Sequence, residues 1–146
     1  MKMNDCIYLV DNNVLSKLSR EQRSSQFFRD QCRIPSEVLH EARDYPDINA
    51  LKQLEYPTTP DVLLRLQQIM TTIPTTDTRL VDLYANKGNA DPLILACALD
   101  AQRRDEVYLW APTWVVVSDD RAVQDKALEL KVELRTGAQF IATLTR

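Results

Sequence analysis

Two short, uninterrupted apolar runs lie near opposite ends of the chain, and each is followed directly by acid. Cys6-Ile7-Tyr8-Leu9-Val10 stops at Asp11, and Trp114-Val115-Val116-Val117 leads into Ser118, Asp119 and Asp120. Continuous apolar runs of this length, rich in β-branched residues, read as buried strands rather than as half-exposed ones. The segments between and after them read as helices, each with its own start and stop signals. Strands alternating with helices predict an α/β domain with a mainly parallel central sheet.

After Asp11, Asn12 and Asn13 precede Val14, Leu15 and Leu18 at helical spacing, which makes a strand–turn–helix with Asp11 at the carboxyl end of the strand. Residues 21–32 read as one polar helix carrying Phe27 and Phe28, and 33–35 as a short strand. Ser36 is expected to cap a helix whose apolar side is Val38, Leu39 and Ala42. Residues 45–54 read as a loop with some helix. Thr59-Pro60 marks a helix start, with a core stripe of Val62, Leu63, Leu66, Ile69, Met70 and Ile73 ended by Pro74. A further helix is expected from Thr76 or Asp77, with Leu80, Val81 and Tyr84 inward and Gly88 as its stop. Asp91-Pro92 opens a helix, reaching about residue 103, that is apolar nearly all round and belongs at the centre of a domain. Residues 107–110 read as a strand interrupted by Pro112, 121–130 as a helix and 132–134 as a short strand; Thr136 caps a last helix through Leu144. With no repeat, linker or low-complexity segment, residues 1–146 are expected to form one domain.

Composition narrows the chemistry. The longest purely apolar stretch, 93–99, has seven residues, against the roughly 20 of a membrane span; a cytoplasmic protein without membrane contact is expected. Three cysteines with no paired spacing read as reduced thiols. The single histidine, His40, weighs against histidine-dependent acid–base chemistry. The two glycines, Gly88 and Gly137, are far apart, so no glycine-rich phosphate loop exists. A net charge of −3 is not the overall signature of a nucleic-acid binder, although a local basic rim is compatible with it.

The acids carry the remaining signal. In open parallel sheets ligands bind outside the carboxyl ends of the strands, where Asp11 and the pair Asp119-Asp120 are predicted to lie. Asp91 stands at a helix start, and Glu41 lies in the second turn of the helix beginning at Ser36. Each has an ordinary alternative role as a turn residue, a helix cap or solvated helix surface. Taken together, clustered carboxylates without a neutralising lysine close in sequence call for a divalent cation, and hard oxygen ligands select Mg²⁺ or Mn²⁺.

The order and context of these segments resemble the PIN-domain ribonucleases. Tyr8-Leu9-Val10-Asp11-Asn12-Asn13 resembles their opening strand and turn, and Ser36 with Glu41 five residues later resembles their second motif. Ala90-Asp91-Pro92-Leu93 resembles the third motif, an Asp opening a buried helix; Ser118-Asp119-Asp120 resembles the fourth, a hydroxyl residue followed two positions on by an acid. The resemblance spans most of the chain and departs from the family at Asn12, where Thr or Ser is usual. It implies a three-layer α/β/α PIN-like domain and an endoribonuclease dependent on Mg²⁺ or Mn²⁺. The catalytic residues would be Asp11, Glu41, Asp91 and Asp120, with Asp11, Asp91 and Asp120 as metal ligands. Asn13, Ser118 and Asp119 would support them, and Arg121, beside Asp120, is the best-placed contact for RNA. Compact members similar to the VapC toxins are held by an antitoxin protein and often form homodimers, so an antitoxin and a second copy join RNA as implied partners. The alternative is a non-catalytic PIN-like module that binds RNA or protein.

Overall fold

The computed structural model describes residues 5–72 and 91–145, apart from the side chain of Asp91. Five parallel strands make one sheet: β1 (Cys6–Val10), β2 (Cys32–Pro35), β3 (Glu55–Tyr56), β4 (Thr113–Val117) and β5 (Glu133–Arg135), in the order β3-β2-β1-β4-β5. The two runs that anchor the sequence reading are thus β1 and β4, central neighbours paired from Cys6 with Thr113 through Val10 with Val117. Parallel neighbours point their carboxyl ends the same way, so the acids that follow them emerge at one edge.

Alternation along these strands feeds two separate cores. Tyr8, Val10, Ile34, Val115 and Val117 face one cluster, which α1 (Asn12–Leu15), α3 (Gln26–Gln31), α4 (Ser36–Glu41) and α9 (Gly137–Leu144) cover through Val14, Leu15, Phe28, Val38, Leu39 and Phe140. Leu9 and Val116 face the other, covered by α6 (Pro60–Thr71), α7 (Asp91–Asp105) and α8 (Arg121–Glu129) through Val62, Ile69, Val123, Ala127 and most of α7 from Leu93 to Ala98. This is a three-layer α/β/α domain with an all-parallel sheet, the architecture expected from the sequence. α7 is apolar nearly all round because the sheet, α6 and α8 all border it.

Several local expectations are corrected. The helix expected over 21–32 is two helices, α2 (Arg20–Arg23) and α3, because Ser25 turns extended and its hydroxyl accepts a hydrogen bond from Phe28 N (3.2 Å), starting a new helix. Ser36 does not cap α4. Its Oγ donates to the carbonyl of Tyr56 (3.3 Å) and accepts from Thr58 N (3.1 Å), tying α4 to the end of β3. The loop with some helix expected over 45–54 is found as such, holding α5 (Ile48–Leu51) and a 3-10 turn (Lys52–Leu54); these lead into β3, a two-residue strand too short to read from a pattern. Residues 107–110 are not a strand. They turn directly off the end of α7, with Tyr108 N donating to Asp105 O (2.9 Å), and leave Val107, Tyr108, Leu109 and Trp110 exposed; sheet pairing starts only at Thr113, beside Cys6 of β1. The helix expected from Thr76 or Asp77, its inward residues, and the stops at Pro74 and Gly88 lie outside the described residues. No helix among the described residues is long and apolar enough to cross a membrane. Cys6, Cys32 and Cys97 form no disulfide among the described residues.

Candidate carboxylate site at the edge of the sheet

Asp11 directly follows β1, keeps an extended backbone and caps α1: its Oδ1 accepts from Asn12 N at 2.8 Å, while Asp11 N donates to Val117 O of β4 at 3.0 Å. The residue is only 2% exposed. Its other oxygen, Oδ2, accepts a 2.7 Å bond from Ser118 Oγ and a long 3.5 Å bond from Asn13 Nδ2. Ser118 is fully buried one position past β4, and its Oγ also accepts from Asp120 N at 3.1 Å. One hydroxyl therefore orients the Asp11 carboxylate and fixes the turn that carries Asp120. Asn13 ties the same turn from the other side, its Oδ1 accepting from Asp119 N at 3.1 Å.

The two adjacent aspartates have separate work. Asp120 caps α8, its Oδ1 accepting from Ala122 N (2.9 Å) and Val123 N (3.4 Å). Asp119 turns away to Lys17 Nζ (2.6 Å) and accepts from Gly137 N (2.7 Å) at the start of α9. A Cβ at Gly137 would lie 2.6 Å from Asp119 Oδ2, so the absence of a side chain there permits this approach. The Lys17 ammonium, followed by the Gly137 N–H, holds the Asp119 carboxyl below its ordinary value against the opposing effect of burial. The expectation that no lysine near in sequence neutralises these acids is corrected at this point. Lys17, six residues after Asp11, pairs with Asp119.

Among the described residues no such cation pairs with Asp11. Burial raises its carboxyl pKa; the bonds from Ser118 and Asn12 oppose the rise, and the negative charges of Asp120 and Asp119 add to it. Glu41, the last residue of α4, belongs to the same electrostatic neighbourhood: burial, then the charge of Asp11, push its carboxyl up to about 7, with Glu37 adding to the rise. The side chain of Asn12 eases that shift, yet Glu41 Oε1 is buried and accepts no hydrogen bond, and Asn12 Oδ1 is likewise buried and unpartnered. Among the described residues neither oxygen has a hydrogen-bond partner, which is costly for a buried polar atom. An all-oxygen set of this kind suits a hard divalent cation.

The structure thus brings together Asp11, Asn13, Ser118, Asp119, Asp120 and Glu41. It places Asp91 as the first residue of α7, with its side chain outside the description, and leaves Arg121 exposed at the first turn of α8. Among the described residues no three His, Cys, Asp or Glu side chains form a group that would hold a metal ion. Asn12, Lys17 and Gly137 are the participants that sequence reasoning did not assign. Asn12 carried a faint signal as the departure from the family pattern, whereas Lys17 and Gly137 carried none. No protein-family model matches the chain, and no curated protein matches it.

Proposed function

We propose that the chain is a PIN-type endoribonuclease that hydrolyses RNA phosphodiester bonds with Mg²⁺ or Mn²⁺. The observation that carries this reading is the buried Asp11 carboxylate, hydrogen-bonded on both oxygens and, among the described residues, influenced by further acids rather than by a cation, with Glu41 Oε1 unpartnered there. A carboxylate group built this way is costly unless a positive charge completes it. Asp11, Asp91 and Asp120 would hold the ion, with Glu41 joining directly or through water. When bound, the ion neutralises the developing charge on the phosphate and lowers the pKa of attacking water.

The chain's own residues prepare that site. Ser118 and the Asn12 N–H fix the Asp11 carboxylate before any ligand arrives, so little reorganisation is left for the reaction. Asp120 is oriented by its capping bonds to α8, and Lys17 neutralises Asp119, so Asp120 would be the acid of that turn left for an ion. Arg121, exposed beside Asp120, is placed to meet a backbone phosphate. The purified protein should cleave single-stranded RNA in Mn²⁺, and Asp11→Asn should not; equal cleavage by the two proteins would sink the assignment. The toxin role rests on the resemblance alone. It predicts a small protein, encoded next to this chain, that binds it and stops cleavage.

A non-catalytic PIN-like module is the second reading, supported by the lack of any three-acid group among the described residues. RNA affinity without cleavage in either metal would establish it.

A further inference from the structure

The fold leaves one continuous apolar run in water. Val107, Tyr108, Leu109 and Trp110, four in a row where the chain turns off the end of α7, are each between 55% and 85% exposed. The other large exposed apolar side chains among the described residues, Leu63, Leu64 and Leu128, stand singly or as a pair, as surface residues ordinarily do. The run has the composition of a strand, but Pro112 follows it and has no N–H to give a ladder. Its four side chains present on the order of 500 Å² of mainly apolar surface, a size at which an exposed patch marks an interaction site.

Charge, shape and area select a second copy of this chain as the cover. Arg103, in the last turn of α7, and Glu106, just after it, are exposed beside the run and form no ion pair among the described residues. The charges between them are taken up: Asp105 accepts from Trp114 Nε1 (2.7 Å), and Arg104 interacts with Tyr56, Asp100 and Asp105. Two free opposite charges three residues apart are self-complementary, because a two-fold axis sets each against its opposite in the second copy. A partner of one charge sign, or an anionic membrane, leaves one of the two facing its like. A recess of about 300 Å³ shares Tyr108 with the run and is walled also by Tyr56, Ala101 and Trp114. Tyr56 OH and Trp114 Nε1 are already bonded to Asp100 (2.6 Å) and Asp105, so this wall favours an apolar side chain over a polar ligand. A stable dimer of standard size buries about 800 Å² per partner; the run supplies more than half of that, and the charged residues at its rim adjoin it.

We propose that residues 103–110 are a two-fold self-association surface, in which the apolar run of each copy packs on that of the other and Arg103 pairs with Glu106 across the axis. The run leads toward the amino end of β4, whereas Asp11 follows the carboxyl end of the parallel β1, so the contact lies away from the two carboxylate sites. The surface does not rest on the ribonuclease reading, and its test needs no cleavage.

The test is sedimentation velocity of the full chain in EDTA, from about 1 µM to about 200 µM. The wild type should pass from a 16.8 kDa monomer to a dimer across that range. Leu109→Asp should weaken self-association about a hundredfold. Leu109 is among the most exposed residues of the run, so the thermal midpoint of the dilute variant should match that of the dilute wild type. Arg103→Glu and Glu106→Arg should each weaken association about tenfold, and the two together should return it to within about threefold of wild type, because reversing both charges re-forms the pair. That rescue keeps the test decisive if Leu109→Asp folds poorly. A wild type that stays monomeric throughout, a dimer that Leu109→Asp leaves intact, or a double reversal as weak as the single ones overturns the surface. Leu109-dependent binding to phosphatidylcholine vesicles by a wild type that stays monomeric overturns it in favour of a lipid surface.

Discussion

Asp11 and Asp100 are both 2% exposed, and they are buried in opposite ways. Asp100, in α7, accepts a 2.6 Å bond from Tyr56 OH, and Arg104, one turn along the same helix, contributes positive charge to the pair. That carboxylate is partnered and neutralised, and it links α7 to β3. Asp11 is equally well hydrogen-bonded, but its charged neighbours are Asp119, Asp120 and Glu41. Hydrogen bonds orient a buried carboxylate; only opposite charge compensates it. The described residues supply both at Asp100 and only the first at Asp11. Asp100 has the completeness of a structural link, whereas the Asp11 carboxylate is oriented but left among like charges.

The widest separation between the two comes from replacing each in turn. Asp11→Asn should reduce Mn²⁺-dependent RNA cleavage roughly a thousandfold or more. It should change stability by no more than about 1 kcal/mol, because one capping acceptor is lost while a buried, uncompensated charge is removed. Tyr56→Phe should do the reverse. It strips the Asp100 carboxylate of its short bond and should cost about 1–3 kcal/mol in urea unfolding, with cleavage per folded molecule unchanged. If Tyr56→Phe abolished cleavage without altering the urea midpoint, the contrast between the two aspartates would fail.

The difference between these aspartates was only half legible in the sequence. Asp11 stood out because it ends an apolar run, and a strand end in a parallel sheet is a known place for chemistry. The pairing of β1 with β4 then puts Ser118 and Asp120 beside it, a step the sequence suggests and the register makes concrete. Asp100 drew no notice, since a lone acid inside an apolar helix is intelligible only once Tyr56, 44 residues away, is seen to reach it. The same limit hid Lys17 and Asp119, which lie 102 residues apart. Short-range signals such as the caps at Thr59 and Thr136 were readable because both partners lie within one turn of helix. Ser36 and the 107–110 turn misled the reading because other contacts outweigh the local preference: the end of β3 claims the Ser36 hydroxyl, and Tyr108 N turns back to Asp105 O at the end of α7.

Within the Asp11 site, Gly137 sharpens the comparison from the packing side. Gly137→Ala would drive a methyl to 2.6 Å from Asp119 Oδ2, and either α9 or the Asp119 turn must shift. A destabilisation of about 2 kcal/mol is expected. Glu41 tests the electrostatic side. The folded, metal-free protein holds the Glu41 proton up to about pH 7, against an ordinary value of 4.5. Between those values the folded state binds more protons than the unfolded chain, so stability is fullest below 4.5 and falls as pH rises toward 7. Glu41→Gln should remove about 1–2 kcal/mol of that fall, after allowing for solvent screening. Asp11, also raised, contributes in the same direction, so the informative quantity is the difference between wild type and variant across pH 4–8. Identical pH profiles would mean that neither burial nor the charge of Asp11 raises Glu41.

The smallest effect belongs to Lys17, and its smallness is informative. The Lys17–Asp119 pair is short, but its side chains are 55% and 26% exposed, and pairs at such a surface contribute roughly 0–1 kcal/mol. Lys17→Ala should therefore shift the urea midpoint by less than about 0.5 kcal/mol, with the shift vanishing in molar salt. Asp119 keeps its bond from Gly137 N and stays in place, yet its charge is no longer neutralised and adds to the field at Asp11 and Asp120. Mn²⁺ affinity, read by calorimetry, should rise in Lys17→Ala by a few-fold at low salt. Weaker Mn²⁺ binding in that variant would mean that Lys17 holds the site's geometry rather than shielding one of its acids. The division between the neutralised Asp119 and the uncompensated Asp11 would then have to be redrawn.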